Sequence, residues 1–190
     1  MVKTMTTRLK LRDSVKLIKN FKTTGTITPS SNRLAERLLG SIDFSETLVI
    51  AELGPGNGCI TRTILQRMNK DSVLICFEVN DDFASELRTI ADPRLRVYNS
   101  CASSIQGILN ELEILEVDHI VSSLPLAMID DALIENILSS AKSNLKEGGR
   151  FLQYQYSLAN YGDIKPFFSD IKLKFTFRNM PPAFVYDCLK

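Results

Sequence analysis

The chain is poor in histidine and cysteine and contains no long apolar run. It has one histidine, His119, and four cysteines among 190 residues, and no two cysteines form a C-x-x-C pair. A metal site is therefore not expected, and free thiols in a cytoplasmic protein are the preferred interpretation. No stretch reaches the ~18 uninterrupted apolar residues of a transmembrane helix. The first residues also lack the apolar core of a secretory signal.

The charge of the chain is close to zero but unevenly distributed. Residues 1–40 contain nine Lys and Arg against two Asp and Glu, whereas the remainder contains 14 against 20. Residues 9–21 have helical periodicity, with basic residues beside an apolar stripe of Leu11, Val15 and Ile18. Such a basic amphipathic helix suits an anionic membrane surface or nucleic acid. It also suits a helix that packs on its own domain with a solvated basic edge.

A loop rich in hydroxyl groups, residues 23–31, precedes a predicted helix over residues 32–39. A loop in this place can fold over a ligand of the following domain, and Gly25 and Ser30 are candidates for contact with it. We therefore expect residues 1–40 to form a basic helix, a lid and a capping helix. Residues 41–190 are expected to form a single globular unit.

The centre of the sequence reads as a strand, a glycine turn and a helix. Residues 47–53 form an apolar run of strand type, and residues 58–69 have helical periodicity. Three glycines lie between or at the edge of these elements: Gly54, Gly56 and Gly58. In open α/β sheets such a unit holds a nucleotide-like ligand against the helix N-terminus. The last glycine of a dinucleotide fingerprint is missing because Cys59 stands in its place.

Two acidic residues flank this turn. Glu52 lies two residues before the first glycine, where it suits a ligand with a cationic amine. Glu78 and then Val79 follow a second predicted strand, where an acid is placed to bind both ribose hydroxyls. The pattern over residues 45–155 resembles the S-adenosylmethionine site of class I methyltransferases. The resemblance implies this cofactor, with Gly25 and Ser30 of the lid near its methionine carboxylate.

The same resemblance implies a Rossmann-like α/β fold. The sheet is expected to be mostly parallel, with an antiparallel C-terminal strand pair and helices on both faces. Periodicity predicts helices over 81–91, 105–115 and 130–145, and strands over 95–98, 118–121, 150–156, 173–178 and 183–189. Many class I enzymes contact the adenine amine with an Asp after the third strand. Here Cys101 holds that position, so backbone groups of Cys101 and Ala102 are expected to contact adenine.

The segment Ser-Ser-Leu-Pro-Leu, residues 122–126, follows the fourth predicted strand at the expected reactive edge. Adenine N6 methyltransferases carry Asn-Leu-Pro-Tyr or a similar turn here. In those enzymes the Asn side chain and a backbone carbonyl accept hydrogen bonds from the amine. Ser123 stands at the Asn position and Leu126 at the aromatic one, which favours a non-aromatic amine over a nucleobase. The candidate residues are Ser122 for the cofactor, and Ser123, Leu124, Pro125 and Tyr154 for the acceptor amine.

Nearly the whole chain resembles the small, soluble bacterial phospholipid N-methyltransferases, which are related to the rRNA adenine dimethylases. The matching segments are the basic first helix and residues 21–31, 52–58, 122–126, 148–153 and 179–186. The resemblance implies methyl transfer to phosphatidylethanolamine or a related aminolipid, with the basic helix docked on the inner face of the membrane. Three alternatives stay open: a soluble small-molecule or peptide amine, an RNA adenine, and a non-catalytic partner protein that binds S-adenosylmethionine.

Overall fold

The computed structural model describes residues 29–176 and 182–190, with side chains from Arg33 onward. The predicted basic helix over residues 9–21 and the lid residue Gly25 lie outside the described residues. None of the described helices is long and apolar enough to cross a membrane.

Seven strands of the described residues form one mixed sheet in the order β3-β2-β1-β4-β5-β7-β6. Strands β1 to β5 run parallel to one another, and β7 is antiparallel to both β5 and β6. The predicted fold class, a mostly parallel sheet with an antiparallel C-terminal pair, is confirmed. The strands are β1 (Val49–Leu53), β2 (Val73–Phe77), β3 (Leu95–Tyr98), β4 (Val117–Ser122), β5 (Leu145–Gln155), β6 (Asp170–Thr176) and β7 (Ala183–Leu189).

Helices cover both faces of the sheet, because each face carries its own apolar core. The helices are α1 (Pro29–Leu39), α2 (Cys59–Arg67), α3 (Asp81–Arg88), α4 (Ile105–Glu111), α5 (Asp131–Asn144) and α6 (Tyr161–Ile164). Helices α1 and α2 pack in one core, and α4, α5 and α6 pack in the other. The apolar stripe of α1, which includes Leu34 and Leu38, is buried in the first of these cores.

A buried carboxylate in β7 links the segment after α1 to the neighbouring strands β5 and β6. Asp187 in β7 is 2% exposed and accepts hydrogen bonds from Arg150 Nη1 and Lys174 Nζ, each at 2.7 Å. The Ser41 hydroxyl also donates to it. Burial alone would raise the pKa of Asp187, but the bonds from Lys174, Ser41 and Arg150 outweigh burial and lower it.

Several predicted boundaries were wrong, each for a local reason. Helix α1 begins at Pro29, since proline is well tolerated in the first helical turn, so Ser30 lies in the helix and not in the preceding loop. Strand β5 begins at Leu145, directly after α5, so residues 146–149, which separate the predicted helix and strand, lie inside the strand. A register shift between β4 and β5 at Val117 and His119 accommodates these residues.

Candidate cofactor and acceptor site

A cavity of about 290 Å³ opens at the carboxyl ends of the parallel strands. The strand order reverses direction between β1 and β4, and ligands of open α/β sheets bind outside the strand ends at such a point. Ten of the residues predicted from the sequence line this cavity: Gly54, Gly56, Glu78, Val79, Cys101, Ala102, Ser123, Leu124, Pro125 and Tyr154.

Five predicted residues are not among those that line the cavity. Glu52, Gly58 and Ser122 lie just behind it, at the ends of β1 and β4 and at the start of α2. Gly25 lies outside the described residues, and for Ser30 only the backbone, within α1, is described. The contacts of these five residues, and of the ten that line the cavity, with a cofactor or an acceptor stay predictions.

Two glycines of the turn lie close to leucine side chains from other segments. Gly54 has a φ of +68°, and a Cβ there would lie 2.8 Å from Leu124 Cδ2. Gly58 has a φ of +77°, and a Cβ there would lie 2.8 Å from Leu87 Cδ2. The neighbour of Gly58 is therefore α3, which contains Leu87 and packs beside the start of α2. Both positions require glycine, since left-handed backbone and close packing coincide.

Glu78 joins the end of β2 to the glycine turn. Its Oε2 accepts a hydrogen bond from the Gly56 N–H at 3.0 Å, and its Oε1 accepts one from the Asn80 N–H at 2.8 Å. Burial raises the pKa of Glu78, and the backbone bonds oppose that rise. The carboxylate is 4% exposed and keeps lone pairs that can accept from ligand hydroxyls.

Glu52 lies fully buried beneath the turn. Its Oε2 accepts from the Thr61 hydroxyl at 2.7 Å and from Cys76 Sγ at 3.4 Å. Its Oε1 is buried with no hydrogen-bond partner among the described residues. Burial raises the pKa of Glu52 to about 7, against the lowering effect of the Thr61 and Cys76 bonds. An unpaired buried carboxylate oxygen fits a cationic ligand group such as the amine of S-adenosylmethionine.

The adenine end of the predicted site is made by the loop after β3 and by α5. Ala102 begins a short 3-10 helix, and the Ser103 hydroxyl donates to Cys101 Sγ at 3.2 Å. Leu133 and Ile137 of α5 close this end with apolar surface. Sequence reasoning missed both α5 residues because helical periodicity does not distinguish apolar positions that face a cavity from those that face the core.

The turn after β4 folds tightly around Pro125. Its φ of −78° and ψ of 74° are those of an inverse γ-turn, closed by a 2.9 Å hydrogen bond from the Leu126 N–H to the Leu124 carbonyl. The Leu126 side chain is 1% exposed and packs in the core, so it does not line the cavity. The position that carries an aromatic ring in adenine N6 methyltransferases therefore presents no side chain to the cavity here.

Residues on both faces of β5 reach the cavity. Alternation along a strand predicts that residues of a single parity face the site, but Tyr154, Gln155, Tyr156 and Ser157 all line the cavity. The reason is that β5 ends at Gln155 and the cavity wraps around the end of the strand. The rings of Tyr154 and Tyr156 meet edge to face, with centroids 5.8 Å apart.

The Tyr154 hydroxyl is protonated at any ordinary pH. Burial is the main cause that raises its pKa, Tyr156 adds to the rise, and the Ser123 hydroxyl opposes it. Ser123 Oγ is buried beside it without a hydrogen bond of regular geometry to the described residues. Tyr154 therefore serves as a hydrogen-bond donor or an aromatic surface at this end of the cavity, not as a base.

No metal site accompanies this cavity. Across residues 29–176 and 182–190, no group of three or more His, Cys, Asp or Glu side chains is placed to hold a metal ion. His119 is partly buried in β4, where its Nδ1 accepts from the Arg150 N–H at 3.3 Å. It does not line the cavity.

The sheet order, the glycine turn and the acid at the end of β2 define a class I S-adenosylmethionine-dependent methyltransferase. Solved structures of this class share the fold. A precorrin-6y C5,15-methyltransferase from Geobacter metallireducens matches with a TM-score of 0.67 and 12% identity, over 88% of this chain and 93% of that chain. An rRNA methylase from Streptococcus thermophilus matches with a TM-score of 0.63 and 13% identity, over 87% and 98%.

The sequence identifies the family. An ornithine lipid N-methyltransferase from Singulisphaera acidiphila is 30% identical over 176 residues, which cover 91% of this chain and 92% of that protein. The chain belongs to the family of lipid N-methyltransferases that includes this relative, so the resemblance noted in the sequence is confirmed. Its cofactor is S-adenosylmethionine. No protein-family model matches the chain.

Proposed function

We propose that the protein methylates the amine of phosphatidylethanolamine or a related aminolipid at the surface of a membrane. The observation that carries the proposal is the turn after β4. It offers a buried hydroxyl, Ser123 Oγ, which lies beside Tyr154 without a hydrogen bond of regular geometry to the described residues, and it turns Leu126 into the core. In adenine N6 methyltransferases the aromatic residue at this position of the turn stacks on the flipped base. The relative from Singulisphaera is named for an aminolipid, which supports the same class of acceptor.

Each part of the cavity has a role in this proposal. Glu52, Gly54, Gly56, Gly58, Glu78, Val79, Cys101, Ala102 and Ser122 hold the cofactor, which supplies an electrophilic methyl group when bound. Ser123 accepts a hydrogen bond from the neutral acceptor amine and orients its lone pair. Tyr154 presents its ring to the ammonium group that results. The Leu124 and Pro125 side chains help to exclude water from the reacting nitrogen.

A lipid acceptor also agrees with the surface next to the cavity. Tyr156, which lines the cavity, is 50% exposed, and Leu158, two residues further along, is 44% exposed. A lipid head group that enters the cavity leaves its acyl chains outside, where exposed apolar side chains are favourable neighbours. The basic residues of the predicted helix over residues 9–22 add an attraction to anionic lipid.

The experiment measures transfer of labelled methyl groups by the purified full chain. The acceptors are vesicles of phosphatidylethanolamine and phosphatidylglycerol, total RNA, and free phosphoethanolamine. A Glu78→Ala variant is the control, because it removes the acid that is expected to bind the ribose. We expect label in phosphatidylethanolamine and its loss in the variant.

The other outcomes contradict the proposal and identify the alternatives. Label in RNA alone would mean that an adenine binds without an aromatic side chain from the turn after β4. Label in phosphoethanolamine alone would assign a soluble amine. Bound cofactor with no labelled acceptor of any kind would favour a non-catalytic binding protein.

A further inference from the structure

The carbonyl group of Leu124, at the acceptor end of the cavity, receives three hydrogen bonds from the chain itself. The Leu126 N–H donates at 2.9 Å, Gln155 Nε2 at 2.9 Å and Gln153 Nε2 at 3.1 Å. Three donors surround this oxygen, which has only two lone pairs, so no direction of approach is left open to a ligand. Both glutamine side chains are buried, which keeps them in place.

The two glutamines differ in their relation to the cavity. Gln155 lines it together with Leu124, whereas Gln153 is fully buried behind it and also donates to the Tyr154 carbonyl at 2.7 Å. Removal of the Gln155 amide would therefore uncover the Leu124 carbonyl on the cavity side. Removal of the Gln153 amide would remove a hydrogen bond that reaches the Leu124 carbonyl from the protein interior.

The number of N–H groups on the acceptor changes with each methylation. In each transfer the nitrogen lone pair forms a bond to the methyl carbon, the C–S bond pair returns to sulfur, and a proton leaves to solvent if the nitrogen carries one. A neutral primary amine has two N–H donors, a secondary amine has one, and a tertiary amine has none. In a largely apolar cavity, an N–H without an acceptor costs free energy.

We propose that Gln155 closes the cavity side of the Leu124 carbonyl to the acceptor amine, so that the site favours partly methylated over unmethylated aminolipids. Ser123 Oγ satisfies one N–H, which suits a secondary amine, and a tertiary amine needs no acceptor. The inference rests on the proposed function, because it concerns the same acceptor. Gln155 is a positioning residue, since it acts through the Leu124 carbonyl.

The experiment compares kcat/KM for phosphatidylethanolamine and for its monomethyl and dimethyl derivatives in mixed vesicles. It uses the full chain, the Gln155→Ala variant and, as a matched control, Gln153→Ala. One uncovered acceptor should raise the rate with the primary amine relative to the dimethyl amine by about threefold to tenfold in Gln155→Ala. The Gln153→Ala variant should lower the melting temperature but leave this ratio unchanged.

An unchanged ratio in a folded Gln155→Ala enzyme would overturn the inference, and so would an equal shift in Gln153→Ala. If the alanine variant does not fold, Gln155→Met keeps the side-chain length and removes the donor, and a shift in the same direction is expected. If the unaltered enzyme methylates none of the three lipids, the proposed function fails. If it methylates them and the ratio does not respond, only this inference fails.

Discussion

The buried carboxylate of Glu52 should make the stability of the cofactor-free protein fall as the pH rises. The folded protein raises the pKa of this group from an ordinary 4.5 to about 7, chiefly through burial. The protonated form is therefore favoured by folding. The resulting contribution to stability is fully present below pH 4.5 and is lost as the pH rises through about 7. The difference between the two pKa values corresponds to about 3 kcal/mol of stability, at about 1.4 kcal/mol per pH unit.

A Glu52→Gln variant isolates this effect, because glutamine has nearly the same shape and does not ionise. Urea unfolding of both proteins at pH 4.5 and pH 8 gives the change in unfolding free energy caused by the substitution at each pH. From pH 4.5 to pH 8, the unfolding free energy of the variant should rise by about 3 kcal/mol relative to that of the unaltered protein. Titrating groups that do not interact with Glu52 cancel in this difference. A difference that is the same at both pH values would refute the argument that Glu52 is buried without a full set of partners.

Three further substitutions test other parts of the structure. Gly54→Ala should cost about 2–4 kcal/mol, because the new methyl meets both a left-handed backbone and Leu124, and urea unfolding measures it. Gly56→Ala should cost only about 1 kcal/mol, since its methyl enters open space, yet calorimetry should find weakened cofactor binding. A Gly56 variant that loses as much stability as the Gly54 variant would contradict this contrast. Asp187→Asn removes the charge between two partly exposed cations and should cost about 2 kcal/mol near neutral pH. The cost should shrink as the pH falls and the carboxylate of the unaltered protein is protonated, and a constant cost in acid unfolding would count against it.

The strand-turn-helix unit could be predicted from the sequence because its signals are local. Glycine permits the positive φ that is found at Gly54, Gly56 and Gly58. Apolar runs in the sequence mark the strands before and after the turn. The acid at Glu78 follows from its place at the end of the second strand. The structure brings Glu78 to the Gly56 N–H, as that place implies.

Other features depend on contacts between distant segments and left no local signal. The packing of Gly58 against Leu87 requires the position of α3, which no spacing reveals. The bonds from Gln153 and Gln155 to the Leu124 carbonyl join residues about 30 positions apart in the sequence. Alternation along β5 predicted a single face toward the site, but the end of a strand exposes both faces to the cavity.

The measurement that tests the central claim most directly is lipid analysis of bacteria that express the chain. A host whose aminolipids carry no methyl groups would express either the unaltered protein or the Glu78→Ala variant at matched levels. Mass spectrometry of the extracted lipids should find methylated head groups with the unaltered protein and none with the variant. Unmethylated lipids in both cultures, together with a folded protein that binds S-adenosylmethionine, would contradict the assignment of an aminolipid as the acceptor.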